Sequence, residues 1–171
     1  MNEPNDKVSA GRGGPFLTAA FFCDRIIEDK SDDSMTAVRF LDKIKIILDP
    51  SAPANVPSEE HRIPVSLFGL VAFKTGDSPG KHTIRIDLVS PSGKVGRGVF
   101  EQVFMFPQEP VSGVNVRLVT TISIKNGGLF WMQVYLDDIL VTQVPVEILV
   151  ERAGRPLKEI ATVASGAEWV Y

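Results

Sequence analysis

The sequence predicts an all-β fold, an antiparallel β-sandwich of about eight strands that is Ig-like or C2-like in outline. Apolar and polar residues alternate through most of the chain, turn residues recur at short intervals, and no long segment has helical spacing. Residues 1–15 are glycine-rich and poor in apolar side chains, residues 16–150 carry the strand patterns, and residues 151–171 differ from both. We therefore expect a flexible N-terminal arm, one sandwich domain and a short, helical C-terminal tail.

The first strand pattern lies in GGPFLTAAFFCDRI, residues 13–26, where an apolar run precedes the only cysteine, Cys23. An export signal needs a positively charged segment and an apolar run of about 7–15 residues. Here the charges before Phe16 cancel, and the apolar run ends at Phe22. Both faces of the extended segment are apolar, which is typical of a buried central strand. The sequence favours the strand, with Cys23 as a core residue.

Polar and proline-rich segments separate the next strands. Residues 28–34 (EDKSDDS) predict a polar turn, and residues 50–61 (PSAPANVPSEEH) predict a loop. Between them, residues 35–49 (MTAVRFLDKIKIILD) predict a strand that bends near Leu41–Asp42. Residues 62–73 (RIPVSLFGLVAF) predict the strand that follows the loop.

The middle of the chain has the clearest alternation. Residues 82–93 (HTIRIDLVSPSG) predict a half-buried strand that enters a Ser-Pro-Ser-Gly turn. Residues 95–106 (VGRGVFEQVFMF) and 114–125 (VNVRLVTTISIK) predict two more strands. Asn126-Gly127 is the strongest short hairpin signal in the chain, so we expect it to join two antiparallel strands.

The last strand pair is predicted on either side of Asp137-Asp138, in residues 129–136 (LFWMQVYL) and 139–150 (ILVTQVPVEILV). Aspartate adopts positive φ less readily than glycine, so we expect a turn longer than two residues. Pro145 cannot donate a ladder hydrogen bond, which places its strand at an edge or a bend. Beyond this strand, residues 156–166 have helical spacing between a proline and a glycine, which predicts a short helix.

Four segments of this sequence together resemble the recurrent features of a known family. They are Cys23-Asp24 after the first strand, SMTAVRFLDKI (34–44), GKHTIRIDLVSPSG (80–93) and GLFWMQVYLDDILVTQVPV (128–146). In this combination the chain resembles a family of uncharacterised bacterial β-sandwich proteins, described only as a domain of unknown function, in which a glycine stands in place of Asp138. The resemblance implies a sandwich over most of residues 16–150, and it implies no activity, ligand or site residue.

Cys23, His61 and His82 are the residues from which a nucleophilic site would have to be built. Burial raises the pKa of a thiol and makes it inert, so we interpret Cys23 as a core thiol and the two histidines as surface imidazoles. The glycine-rich GKVGRG (93–98) lacks the Lys-Ser/Thr pair of a phosphate loop and precedes a strand. We therefore predict no catalytic residue and no cofactor, and that the protein is not an enzyme.

Carboxylates gather in two predicted loops, Asp29, Asp32 and Asp33 in one and Asp137 and Asp138 in the other. Calcium requires six to eight oxygen ligands, and neither loop has the spacing of an EF-hand. The histidines and the cysteine likewise lack zinc-ligand spacing. We interpret the acidic loops as solvated turns and predict no metal site.

Two groups of aromatic residues call for different interpretations. Phe100, Phe104 and Phe106 share one face of a predicted strand, which favours core packing over a ligand site. Trp169 and Tyr171 follow the predicted tail helix and are either packed on the sandwich, which we favour, or anchors for a partner. They are our candidate partner-binding residues.

Composition narrows the function classes. The net charge of −3 and the pI near 5.4 lack the basic footprint of a nucleic-acid binder. No apolar run approaches the roughly 20 residues that span a bilayer, and a single cysteine forms no internal disulfide, which indicates the cytoplasm. We expect a cytoplasmic, non-enzymatic interaction or assembly module with a protein partner, and neither nucleic acid nor membrane. The alternatives are a C2-like calcium or small-ligand binding domain and a hydrolase with an unrecognised site.

Overall fold

The computed structural model describes residues 13–32, 34–48 and 62–152, and these residues form nine β-strands. The strands are β1 (Phe16–Glu28), β2 (Met35–Phe40), β3 (Lys43–Leu48), β4 (Ile63–Lys74), β5 (Gly80–Val89), β6 (Val95–Phe106), β7 (Gly113–Ile124), β8 (Gly128–Leu136) and β9 (Ile139–Arg152). No helix occurs in the described residues, and hence none that would cross a membrane. The all-β prediction is confirmed, and the predicted tail helix lies outside the described residues.

The strands form two sheets. Sheet 1 has the order β2-β1-β4-β7, and sheet 2 has the order β3-β9-β8-β5-β6. The pairing of β4 with β7 in one sheet, and of β5, β8 and β9 in the other, is that of strands B and E and of strands C, F and G in immunoglobulin-like sandwiches. Of the two predicted outlines, the observed pairing is therefore Ig-like.

Residues 35–48 form two strands in different sheets, where the sequence predicted one bent strand. The break falls at the predicted residues: the Leu41 N–H donates to the Phe22 carbonyl, and the Asp42 carbonyl accepts from the Glu147 N–H, both at 2.9 Å. The second bond places β3 beside β9, to which it runs parallel. The prediction of a wholly antiparallel sandwich is wrong here, because no hairpin joins these two strands and so none dictates their relative direction.

Pro145 lies on a part of β9 whose outer side no described strand covers. β3 pairs with β9 only from Glu147 onward, and on its other side Pro145 is the register partner of Trp131 in β8. The predicted edge position of Pro145 is therefore confirmed.

The Asp137-Asp138 turn is tighter than predicted. These two residues alone join β8 to β9, with φ values of 48° and 64°, as a type I′ turn requires. Both carboxylates are held by β5, since Asp137 accepts from the Thr83 N–H at 2.9 Å and Asp138 pairs with Arg85. These bonds offset the strain of two aspartates at positive φ, which the local sequence alone does not reveal.

Asn126-Gly127 closes no hairpin. It connects β7 in sheet 1 to β8 in sheet 2, so that prediction is wrong. A Cβ added at Gly127 would collide with the Ile148 carbonyl, and the positive φ of 139° falls at Gly128, which lies against Pro91. Gly127 and Gly128 are therefore required because neighbouring backbone and side chains approach them closely. In the sequence, glycines required for this tertiary reason look the same as glycines required by a hairpin turn.

One apolar core fills the space between the sheets. Its fully buried members include Phe22, Leu67, Val71, Phe73, Ile84, Ile86, Phe106, Val116, Leu118, Met132, Val134 and Ile148. Phe104 is also buried and Phe100 packs against the core, as predicted. Burial of each such side chain contributes about 1.5–3 kcal/mol to folding. The sandwich has two ends, the hairpin end at Asp137-Asp138 and the opposite end at residues 90–94 and 125–127.

Candidate functional site

A cleft of about 790 Å³ opens between the two sheets at the end formed by residues 90–94 and 125–127. We call it the end cleft. Its floor is apolar and consists of Leu88, Val99, Ile122, Ile124 and Phe130. Ligand sites in proteins are mostly apolar and measure about 300–1,000 Å³. The end cleft has the size and the floor of such a site.

The end cleft lies between the outermost strands of the two sheets. β6 is the edge of sheet 2, β7 is the edge of sheet 1, and no described strand pairs with the outer side of either. The Thr120 hydroxyl donates to the Val99 carbonyl at 2.8 Å and ties the two edges together beside the cleft. Unpaired edges present backbone N–H and C=O groups to an incoming chain, so the cleft offers polar as well as apolar contacts.

The rim of the end cleft is positively charged. Arg62, Lys94 and Lys125 are exposed on it, and no carboxylate is among the described residues that line the cleft. None of these three side chains forms an ion pair within the described part of the chain. A low-dielectric surface ringed by charges of one sign attracts the opposite charge. The cleft therefore suits an apolar group that carries an adjacent anion.

The alternating direction of successive strands brings Arg62, Lys94 and Lys125 to the same end of the sandwich. Successive connections of a sandwich alternate between its ends, so the β3–β4, β5–β6 and β7–β8 connections share one end. Arg62 ends the first, Lys94 follows the Ser90–Gly93 turn in the second, and Lys125 begins the third. Sequence reasoning missed the rim because each cation alone looks like a solvated turn residue. One signal in the sequence could have found it: all three cations flank alternate connections in chain order, and alternate connections of a sandwich lie at the same end.

The hairpin end holds a second polar cluster, built around Asp137. Its carboxylate accepts from the Thr83 N–H and contacts His82 Nδ1 at 2.6 Å, while His82 Nε2 contacts the Ser78 carbonyl at 3.0 Å. Both partners of the imidazole, the Asp137 carboxylate and the Ser78 carbonyl, are hydrogen-bond acceptors. Partial burial raises the pKa of Asp137, but the hydrogen bonds from Thr83 and His82 outweigh that effect and hold the pKa below its ordinary 3.8.

Arg85 and Asp87 extend this cluster along β5. Asp87 is buried, and its Oδ1 accepts from the Gly98 N–H at 2.8 Å and from Arg85 Nε at 3.2 Å. Arg85 also pairs with Asp138 and lies 4.4 Å from the ring centroid of Tyr135. Each of these carboxylates has a donor on the protein itself. The cluster therefore fixes the β8–β9 turn to β5 rather than presenting unsatisfied groups to a ligand.

Cys23 lies where the sequence placed it, 1% exposed on a strand between β2 and β4. Burial raises the pKa of its thiol, and the neighbouring Asp24 raises it further. The interpretation of His82 as a surface imidazole is wrong, because its side chain is only 14% exposed and lies 4.8 Å from the Phe106 ring. Its spacing from Ile84, two residues on, already placed it on the core face. His82 is on sheet 2 and Cys23 on sheet 1, and His61 lies outside the described residues.

The two acidic turns lie at opposite ends of the sandwich. Asp29 accepts from the N–H and the hydroxyl of Ser31, at 2.8 and 2.7 Å, and Asp32 accepts from the Ser34 N–H at 2.9 Å. The bonds from Ser31 lower the pKa of Asp29, and bonds from the hydroxyl and the N–H of Ser34 lower the pKa of Asp32. In the parts of the chain that the structure describes, no three potential metal ligands cluster. Asp33, Trp169 and Tyr171 lie outside those parts.

No protein-family model matches the chain, and no curated protein matches its sequence. Among solved structures, the chain is similar to a β-glucosidase from Listeria innocua in complex with glucose, at 18% identity and a TM-score of 0.41 over 51% of this chain and 14% of the other. An alkylpurine DNA glycosylase from Pseudomonas fluorescens, bound to DNA with an abasic-site analogue, has 12% identity and a TM-score of 0.37 over 52% and 29%.

An immunoglobulin-like protein from Pseudomonas aeruginosa has 11% identity and a TM-score of 0.34 over 80% of this chain and 98% of that one. The chain thus spans a small part of the two enzymes. At these TM-scores, none of the three similarities says what the chain does.

Proposed function

We propose that the protein is a non-enzymatic interaction module that binds an extended segment of a protein partner in the end cleft. The segment combines apolar side chains with an adjacent aspartate or glutamate. The observation that carries this proposal is an apolar floor between two strand edges with which no described strand pairs, ringed by Arg62, Lys94 and Lys125.

The two strand edges favour a polypeptide over a small apolar molecule. An extended segment adds to an open edge through main-chain hydrogen bonds, and its alternate side chains then enter whatever pocket lies beside that edge. β6 and β7 supply such edges on both sides of the floor. A small apolar molecule would use the floor and leave the backbone groups to water.

The lining residues favour binding over catalysis. Serine, threonine and asparagine supply the neutral polar groups, while histidine, cysteine and carboxylates are missing from the described lining. Histidine and carboxylates, the bases that most often activate a hydroxyl nucleophile, are therefore absent from the described lining. A calcium site receives no support from the cleft either, because its rim is cationic.

Titration with anilinonaphthalene sulfonate, an apolar fluorophore with one sulfonate, tests the proposal. The proteins are the full chain and the full chain with Trp169→Ala and Tyr171→Ala, since aromatic side chains of the chain itself can compete for an apolar cleft. Each is compared with a version that carries Lys94→Glu and Lys125→Glu. The neutral analogue N-phenylnaphthylamine serves as the uncharged control ligand.

In the chain with Trp169→Ala and Tyr171→Ala, where no internal aromatic competes, we expect saturable binding of the sulfonate, weakened about tenfold by the two rim reversals, with little change for the neutral analogue. A matched control, Lys74→Glu with Lys81→Glu, makes the same charge change at the hairpin end and leaves both ligands unaffected. Absence of saturable binding in all proteins would overturn the proposal. So would equal weakening by the rim variant and the control variant.

A further inference from the structure

We infer that the chain regulates the end cleft with its own C-terminal segment: Gly166–Tyr171 (GAEWVY) occupies the cleft intramolecularly, with Trp169 on the apolar floor. This inference rests on the proposed function of the cleft. It adds the identity of an internal occupant that competes with the partner.

Among the segments outside the described residues, Gly166–Tyr171 has the side chains that match the end cleft. Residues 1–12 and 49–61 contain no aromatic side chain, and the second of these segments has Val56 as its largest apolar residue. Gly166–Tyr171 contains two aromatic residues and a valine directly beside Glu168, with no cation. This is the pairing of apolar groups with an anion that the floor and rim of the end cleft select.

β9 ends beside the end cleft, so the segment that follows it starts from the same end of the sandwich. A Cβ on Gly127, which lines the cleft, would contact the Ile148 carbonyl and the Val150 N, so β9 passes the cleft just before it ends at Arg152. From β9 to β6 is three strand spacings, or about 15 Å. Residues 153–168, which precede Trp169, span about 24 Å even if they are helical throughout. The connecting residues are therefore long enough for Trp169 to reach the floor, even if they are helical.

Tethering favours the chain's own segment over a second copy. A short linker holds its ligand at an effective concentration of about millimolar, above that of a second copy in dilute solution. A partner with the same chemistry must then displace the segment. Its apparent affinity is reduced by the fraction of time that the cleft is occupied.

The fluorescence of Trp169 reports its position. The chain has two tryptophans, so Trp131→Phe, a conservative change at an exposed site, leaves Trp169 as the sole reporter in the full chain. We expect its emission to be blue-shifted relative to the urea-unfolded chain and its quenching by acrylamide to be slow. Adding Lys94→Glu and Lys125→Glu should shift the emission to the red and increase quenching, while Lys74→Glu with Lys81→Glu should change neither.

Dilution separates the two possible sources of the occupant. Intramolecular docking predicts a Trp169 emission that is constant from nanomolar to high micromolar protein. Emission that shifts to the red on dilution would assign the occupant to a second copy and overturn the inference as stated. Emission at the unfolded wavelength at every concentration would overturn it as well.

A second readout needs no change at Trp131. Trp169→Ala with Tyr171→Ala should strengthen binding of anilinonaphthalene sulfonate about tenfold, the factor for an internal competitor that occupies the cleft about nine-tenths of the time. If both proteins bind the sulfonate equally and both lose it with the rim reversals, the internal occupant is refuted and the proposed function stands. If neither protein binds the sulfonate, the proposed function fails first.

Discussion

The space between the two sheets is closed at one end of this sandwich and open at the other. At the hairpin end, Phe73, Phe104, Phe106 and His82 close the core, with the Phe104 and Phe106 ring centroids 5.0 Å apart. Above them, the carboxylates of β5 and of the β8–β9 turn are matched by donors on β5 and β6. At the cleft end, the sheets separate over an apolar floor, and the rim carries three cations without a carboxylate among the described lining residues.

This difference distinguishes residues that stabilise the fold from residues that bind. Compensated charges and interlocked rings lower the free energy of the folded chain and leave few unsatisfied groups for a ligand. The floor residues of the cleft belong to the core and also support the fold, but the three rim cations are exposed, and an apolar surface under charges of one sign is typical of an interaction site. Substitutions at the hairpin end should therefore affect stability, and substitutions on the cleft rim should affect binding.

The largest expected effect is at the hairpin end. Phe106→Ala removes a ring that is 2% exposed and contacts two other phenylalanines, so we expect the free energy of unfolding to fall by about 3–5 kcal/mol. Val99→Ala, at the partly buried position of the cleft floor, should lower it by about 1 kcal/mol or less. Urea denaturation measures both. Equal losses would remove the energetic distinction between the two ends.

Gly127→Val probes the connection between the sheets. The added side chain collides with the Ile148 carbonyl, so the β7–β8 connection must move away from β9. We expect a loss of about 1–3 kcal/mol in the free energy of unfolding, the usual cost of an overpacked position. A melting temperature equal to that of the parent chain would show that this close approach is not a constraint on the fold.

Asp87 tests whether the matched charges along β5 stabilise the fold. Asp87→Asn keeps the shape and an acceptor for the Gly98 N–H but loses the charge-assisted bond from Arg85, and we expect it to cost about 1–2 kcal/mol. Glu101→Gln, an exposed neighbour on β6, is the matched control and should stay within about 0.5 kcal/mol of the parent chain. Similar stabilities for the two variants would contradict a structural role for Asp87.

Asp137 makes the hairpin end sensitive to acid. Its folded-state pKa lies below the ordinary 3.8, so its stabilising effect is fully present above about pH 4 and is lost as the pH falls through the lower folded-state pKa. Asp137→Asn also tolerates positive φ and should have a shallower loss of stability between about pH 5 and pH 2. Urea midpoints measured across this range for both proteins give the comparison. Parallel curves would refute the contribution of Asp137.

The smallest effect on stability is expected where the effect on binding is largest. Lys94→Glu with Lys125→Glu changes two exposed side chains outside every ion pair of the described residues. We expect the free energy of unfolding to change by less than about 0.5 kcal/mol. A loss of several kcal/mol in a thermal melt would mean that the rim supports the fold, and reduced ligand binding could then no longer be assigned to the cleft.

Local patterns predicted the strands well, because the alternation of Ile84, Ile86 and Leu88 depends only on which face of a strand meets the core. They failed where the constraint is tertiary. The hydrogen bonds from β5 that permit aspartates at positive φ, and the approach of Ile148 to Gly127, join residues far apart in the sequence. The end cleft was missed for the same reason, since Arg62, Lys94 and Lys125 become one rim only after the sheets assemble.

Chemical-shift mapping tests the difference between the two ends most directly. The full chain with Trp169→Ala and Tyr171→Ala, labelled with ¹⁵N, is titrated with anilinonaphthalene sulfonate while its amide resonances are followed. We predict saturable shifts confined to Arg62, Leu88, Phe130 and residues 90–99 and 121–128, with the amides of Thr83 and Asp137 unmoved. Shifts centred on the hairpin end, or on the exposed Leu129 and Trp131 of the outer face of sheet 2, would contradict the assignment of binding to the end cleft.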